Sequence, residues 1–212
     1  MSTHNQTRCT AFEGSRRIAS GELREVALKA KAVMDRGERA PVLIFDDATA
    51  EPIEVDFRGT PDDVLSRLPE TAVAAPAEAD SQEPRRAGRP KLGVVAREVT
   101  LLPRHWEWLN GQPGGASVAL RKLVEHARRA NQGIDRIRRA REAAYRFMSA
   151  MAGNEPGFEE AARALFAGNR ERFDEQVALW PGDVRDHAKK LATAGFQDLD
   201  AAPAVPAAVR AN

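Results

Sequence analysis

The feature that most limits what this chain can fold into is a single strand-like stretch, residues 94–102 (VVAREVTLL), with no companion strand near it. Val94, Val95 and Val99 are strong strand formers, Leu101 and Leu102 add apolar surface, and Pro103 stops the run at a residue type suited to the first helical position. An unpaired strand leaves a row of backbone donors and acceptors that must find partners. A second copy of the same strand, related by a two-fold axis, is the nearest supplier. The helix that follows carries Trp106 and Leu109 on one face, with Trp108 beside them. Gly111-Gln112-Pro113-Gly114-Gly115 then turns the chain, and Ser117 is placed to cap a second helix. On that helix Leu120, Leu123, Val124 and Ala127 recur at three- and four-residue steps and predict a buried stripe, leaving Arg121, Lys122, Arg128 and Arg129 outside. Strand, helix and helix, pairing across a two-fold axis, is the plan of a β-ribbon DNA reader, so residues 94–131 are expected to dimerise through the 94–102 strand and to contact DNA.

Charge points the same way. The net charge of +1 conceals an asymmetry: residues 85–141 carry fourteen Arg and Lys against four acids, about +10, and the remainder is about −9. A basic centre between acidic arms implies a polyanionic partner. Residues 69–93 are rich in Pro, Ala and Glu without periodicity and are expected to form a disordered linker. The linker ends in Arg85-Arg86-Ala87-Gly88-Arg89-Pro90-Lys91, whose Gly-Arg-Pro-Lys resembles the AT-hook core, although Ala87 stands where that motif carries Arg. The resemblance implies that Arg85, Arg86, Arg89 and Lys91 favour a narrow A·T minor groove.

Over residues 97–129 the chain resembles the ribbon-helix-helix transcriptional regulators, through Val-Thr-Leu-Leu-Pro, the Trp/Leu helix, the Gly-Gly-Ala-Ser turn and Leu-Arg-Lys-Leu-Val. In that family the paired strands enter the major groove. The resemblance implies that Gly115, Ala116 and Ser117 hold a phosphate with backbone N–H groups at the helix start. Strand alternation leaves two registers open. Either Glu98, Thr100 and Leu102 face the groove, or Arg97, Val99 and Leu101 do, so Arg97 and Thr100 are the candidate readers. Arg121 and Lys122 are the candidate phosphate contacts. With so few readers, specificity is expected to be weak or shape-dependent. The alternative is a homodimeric protein-interaction or stress-associated module whose ribbon dimerises without binding DNA.

The flanks predict an α+β chain: a small N-terminal α/β domain over 1–68, the linker over 69–93, the ribbon-helix-helix-like unit over 94–131, a helical domain over 132–195 and a disordered tail over 196–212. In the first domain residues 8–21 read as a strand or tight hairpin, 22–37 as a helix, 42–45 as a central strand, 53–57 as a half-buried strand by alternation, and 63–68 as a short helix. In the last, a helix over 134–151 follows a break near residue 132, with an arginine run (Arg136, Arg138, Arg139, Arg141) that extends the basic surface, and three shorter helices come after it.

Chemistry is sparse. Cys9 is the one cysteine, which excludes an internal disulfide, and it reads as a small buried hydrophobe. Asp46, Asp47, Glu54 and Asp56 lack calcium-loop spacing and read as a solvated turn and strand face, and the histidines (His4, His105, His126, His187) are scattered. No nucleophile elbow, phosphate loop, dinucleotide fingerprint or zinc-protease helix is present, so no catalytic residue, metal or cofactor is assigned and the chain is not read as an enzyme. No apolar run approaches the roughly 18 residues of a membrane span, and the N-terminus lacks a signal-peptide pattern, so a cytoplasmic location away from membranes is expected. The chain as a whole, over residues 8–195, also resembles a bacterial family of uncharacterised proteins, domain of unknown function 2239. Residues 95–109 (VAREVTLLPRHWEWL) and 143–152 (AAYRFMSAMA) carry this resemblance, which implies no activity.

Overall fold

The computed structural model describes residues 8–37, 40–69 and 97–197. Most of the linker (70–93), with Arg85, Arg86, Arg89 and Lys91, lies outside the described residues, as do the strand residues 94–96, His4 and the tail from 198. The chain divides into two compact units, residues 1–71 with 130–212, and residues 72–129.

The first unit contains a three-stranded antiparallel sheet. Strand β1 (Arg8–Glu13) turns at Gly14, where φ is +53°, into β2 (Arg16–Glu22), and β3 (Val42–Asp46) pairs on the other side of β1 in the order β2-β1-β3. The central strand is therefore β1, and the 42–45 run expected there forms an edge. Cys9 through Glu13 are all buried, whereas Leu43 is exposed. A bulge between Ala11 and Phe12 sets Ala11 opposite Ala19 and Phe12 opposite Arg17.

Side-chain alternation sends the sheet's residues to two cores. Cys9, Ala11, Ala19 and Ile44 pack with Val26 and Ala30 of helix α1 (Leu23–Asp35). Phe12 and Phe45 point the other way. They pack with Ala143, Ala144, Phe147 and Met148 of α4 (Gly115–Ala152), Leu165 of α5 (Phe158–Ala167), Phe173 of α6 (Arg170–Gln176) and Val184 and Ala188 of α7 (Gly182–Ala192). The α+β segment and the C-terminal helices, which periodicity separates, thus share one core. A sheet covered on both faces explains why β1 and β3 read as apolar runs rather than alternating ones.

Two local readings change. Residues 53–57 form no strand; only an isolated bridge joins Phe45 to Pro52, and Ile53 N–H donates to the Ile44 carbonyl at 2.8 Å. The alternation still has a cause, because Ile53, Val55 and Phe57 pack against the α1 core. Helix α2 (Pro61–Arg67) follows, started by a capping box between Thr60 and Asp63. The second change is at residue 132. Gly133 lies inside α4, which runs unbroken for 38 residues. A lone helical glycine costs about 1 kcal/mol relative to alanine, too little to break a helix anchored further along by Phe147 and Met148.

Candidate nucleic-acid interface

Residues 97–129 build the basic surface. Among the described residues, 97–102 belong to no helix or strand and have no ladder partner in their own chain, and Leu102, which precedes the next helix, is extended; Arg97, Glu98, Thr100 and Leu102 are exposed, and Val99 is 53% exposed. Helix α3 (Pro103–Asn110) starts on Pro103 and buries Leu109, at 3% exposure, while Trp108 is 54% exposed. The chain then reverses through Gly114 and Gly115, both with positive φ (+88° and +73°), where non-glycine residues are strained. A Cβ on Gly114 would also lie 3.2 Å from the Val118 side chain. Helix α4 begins at Gly115, two residues ahead of the expected Ser117 cap.

Helix geometry leaves the first-turn N–H groups of Ala116, Ser117 and Val118 without intrahelical acceptors, and the dipole adds partial positive charge there. Directly above them a shallow groove is lined by Val118, Arg121, Lys122, Glu125, His126 and Arg129. These positions step by three and four and so occupy one helix face. Arg121 Nε donates to the Ser117 carbonyl at 3.1 Å, which holds its guanidinium close to the turn. Arg128 and Arg129 both donate to Glu125, at 3.1 Å each, and these hydrogen bonds hold the Glu125 carboxyl below the usual carboxylate range. Lys122 has no ion-pair partner among the described residues.

Roughly opposite, at 100° per residue, lies the apolar stripe. Leu120 is half-buried, but Leu123 (48%), Val124 (64%) and Ala127 are exposed, contrary to the burial expected of them. Nothing within the single described chain covers them.

Of the residues expected to contact DNA, Arg121 and Lys122 line this groove; Gly115, Ala116 and Ser117 form the first turn of α4, and Arg97 and Thr100 lie in the unpaired segment before α3. The groove adds Arg129 and His126, which periodicity from Arg121 and Lys122 also predicts. The arginine run further along α4 belongs elsewhere. Arg141 donates to the carbonyls of Gly195 and Phe166, both at 2.9 Å, Arg139 to that of Asp135, Arg136 to Gln197, and Arg138 pairs with Asp135. Arg136 and Arg141 thus brace the C-terminal helices, while Arg138 and Arg139 are tied along α4 itself. The acidic turn also differs from its reading. Asp46 closes the turn by accepting from Ala48 N, Thr49 N and Thr49 Oγ1, and Asp47 is largely covered, accepting from Thr10 Oγ1 at 2.6 Å and Lys190 Nζ at 2.9 Å.

Fold and surface define an α+β chain with a double-covered sheet and one long helix that is basic on one face near its start. The chain belongs to a bacterial family, domain of unknown function 2239, described as "Uncharacterized protein conserved in bacteria", whose model matches residues 8–192. No curated protein and no solved structure matched the chain. No described helix is long and apolar enough to cross a membrane.

Proposed function

We propose that the protein is a dimeric DNA-binding regulator of weak or shape-dependent specificity, assembled as in the ribbon-helix-helix proteins its centre resembles. One observation carries the reading: residues 97–102 have no ladder partner in their own chain and all but Leu101 are exposed, and they lead into α3 and then α4, whose apolar stripe is uncovered and whose opposite face is basic. Pairing two copies of the strand would satisfy its backbone groups and bury Leu123 and Val124. DNA affinity comes chiefly from phosphates, met by the Gly115–Ser117 backbone, Arg121 and Lys122, with the Arg85, Arg86, Arg89 and Lys91 arm as a minor-groove contact. Arg97 and Thr100 are the strand's readers in the two registers.

Fluorescence anisotropy of the full chain on A·T-rich and G·C-rich duplexes, at several salt concentrations, tests this. Affinity should fall steeply with salt and favour the A·T-rich duplex, and deleting residues 85–91 should narrow that preference. No DNA retention even at low salt would overturn the reading. The exposure of Glu98 and Leu102 favours the second reading, a dimeric protein-interaction module, because neither side chain suits a groove lined with phosphates. That reading predicts a stable dimer indifferent to added DNA.

A further inference from the structure

The N-terminal hairpin and α1 enclose a cleft of about 250 Å³, built from residues 16–36, none of which is among the DNA contacts proposed above. Arg16 and Arg17 of β2 and Lys29 and Arg36 of α1 line it, over the apolar side chains of Ile18 and Val33. Lys29 and Arg36 lie two helical turns apart and so share a face, with Val33 between them. Arg16 is tethered to Glu13. The side chains of Lys29 and Arg36 have no carboxylate partner among the described residues, whereas Arg17 donates its backbone N–H to Asp183 Oδ2 at 2.8 Å. Several other cations of the unit meet carboxylates: Arg58 and Arg67 meet Asp56, Arg163 meets Glu160, Lys189 meets Asp174 and Lys190 meets Asp47.

Unpaired cations collected on a concave surface repel one another and focus a positive potential into the cleft, and both effects are relieved by a bound anion. The guanidinium fork of Arg36 matches phosphate oxygens in bidentate fashion, and Lys29 adds a compact charge. The volume falls below the ~300–1,000 Å³ of pockets for drug-sized ligands, which selects a small anion over a larger cofactor. We propose that this cleft binds a small phosphorylated molecule, of the pyrophosphate or phosphate-ester class, with Lys29 and Arg36 as its ligands and Ile18 and Val33 against its less polar part. The assignment does not rest on the DNA-binding reading.

Titration calorimetry of the full chain with pyrophosphate, at ionic strength matched by chloride, tests it. The K29Q/R36Q double variant removes two exposed side chains, and a thermal melt checks that it folds. The expected result is one saturable site per chain, weakened about tenfold or more in the double variant, as loss of charge-assisted contacts implies. An R170Q/R172Q control on α6 should bind like the parent. No saturable binding, equal binding by K29Q/R36Q, or an equal loss in the control would each overturn the proposal. If K29Q/R36Q lost affinity for duplex DNA while pyrophosphate bound neither protein, the cleft would be a nucleic-acid surface and the small-ligand assignment would fall. Failure of the parent to bind DNA, with pyrophosphate binding intact, would remove only the DNA reading.

Discussion

His187 sits 1% exposed, its ring centroid 4.6 Å from that of Phe147 and 5.4 Å from that of Phe12, and neither ring nitrogen has a partner among the described residues. Burial pushes its pKa down from 6.5 to about 4; Lys190 and Arg17 push the same way, and Asp47 opposes them. The unfolded chain therefore binds the extra proton between pH 6.5 and about 4, so the stability that neutral His187 supports is intact above that window and lost as pH falls through it. A His187→Leu variant removes the titration and two unsatisfied atoms. Denaturant unfolding at pH 7 and pH 5 should show the variant losing less stability on acidification than the parent, and an equal loss would place the acid sensitivity elsewhere. Glu125 is the other informative residue, because it ties down Arg128 and Arg129 on the basic face. If that face meets DNA, Glu125→Gln should tighten binding and steepen its salt dependence by up to about one phosphate's worth. Unchanged affinity in the anisotropy assay would move the DNA away from this stretch of α4.

At the scale of elements, Gly133 shows where local pattern misleads. Asn131-Gln132-Gly133 looks like a helix end, yet the helix continues, and a Cβ on Gly133 meets nothing within 4 Å. Gly133→Ala should raise stability by about 0.5–1 kcal/mol, read as a shift in denaturant midpoint. Gly114 and Gly115 were legible as a turn because positive φ demands glycine, and the α1, α2, α5, α6 and α7 helices were legible from their period and caps. Asn169, for example, accepts from Arg172 N at 2.9 Å as an N-cap does. The 53–57 segment was half legible. Its alternation reports which side chains are covered, and coverage by α1 gives the same signal as a strand. The pairing order of β1 and β3 was not legible, since both are apolar runs and only the partner across each edge tells them apart.

For the molecule as a whole, the uncovered stripe on α4 is the feature that a second copy would change. Leu123 and Val124 are 48% and 64% exposed, so both can be replaced by Glu without burying a charge in the single chain. If the protein dimerises as proposed, the double variant should keep its helical circular dichroism while sedimenting as a monomer, and the parent should sediment as a dimer; identical sedimentation would exclude that stripe as the contact. Part of the candidate site was legible, because Arg121, Lys122 and the glycine turn are contiguous. The cleft between β2 and α1 was not, because Ile18 and Val33 line one surface only once the hairpin folds over the helix. The shared core was equally hidden, since periodicity is local and Phe12 lies 135 residues before Phe147, its ring neighbour at 5.4 Å. That separation has a consequence in time. At about 5–20 residues per second, Phe12 is synthesised roughly 7–27 s before Phe147. Throughout that interval the newborn hairpin presents an aromatic sheet face with nothing to cover it. A fragment of residues 1–69 should therefore bind a hydrophobic dye and sediment as aggregates, whereas the full chain should not. In a cell, the growing chain would be a client for whatever holds nascent polypeptides apart until α4 arrives.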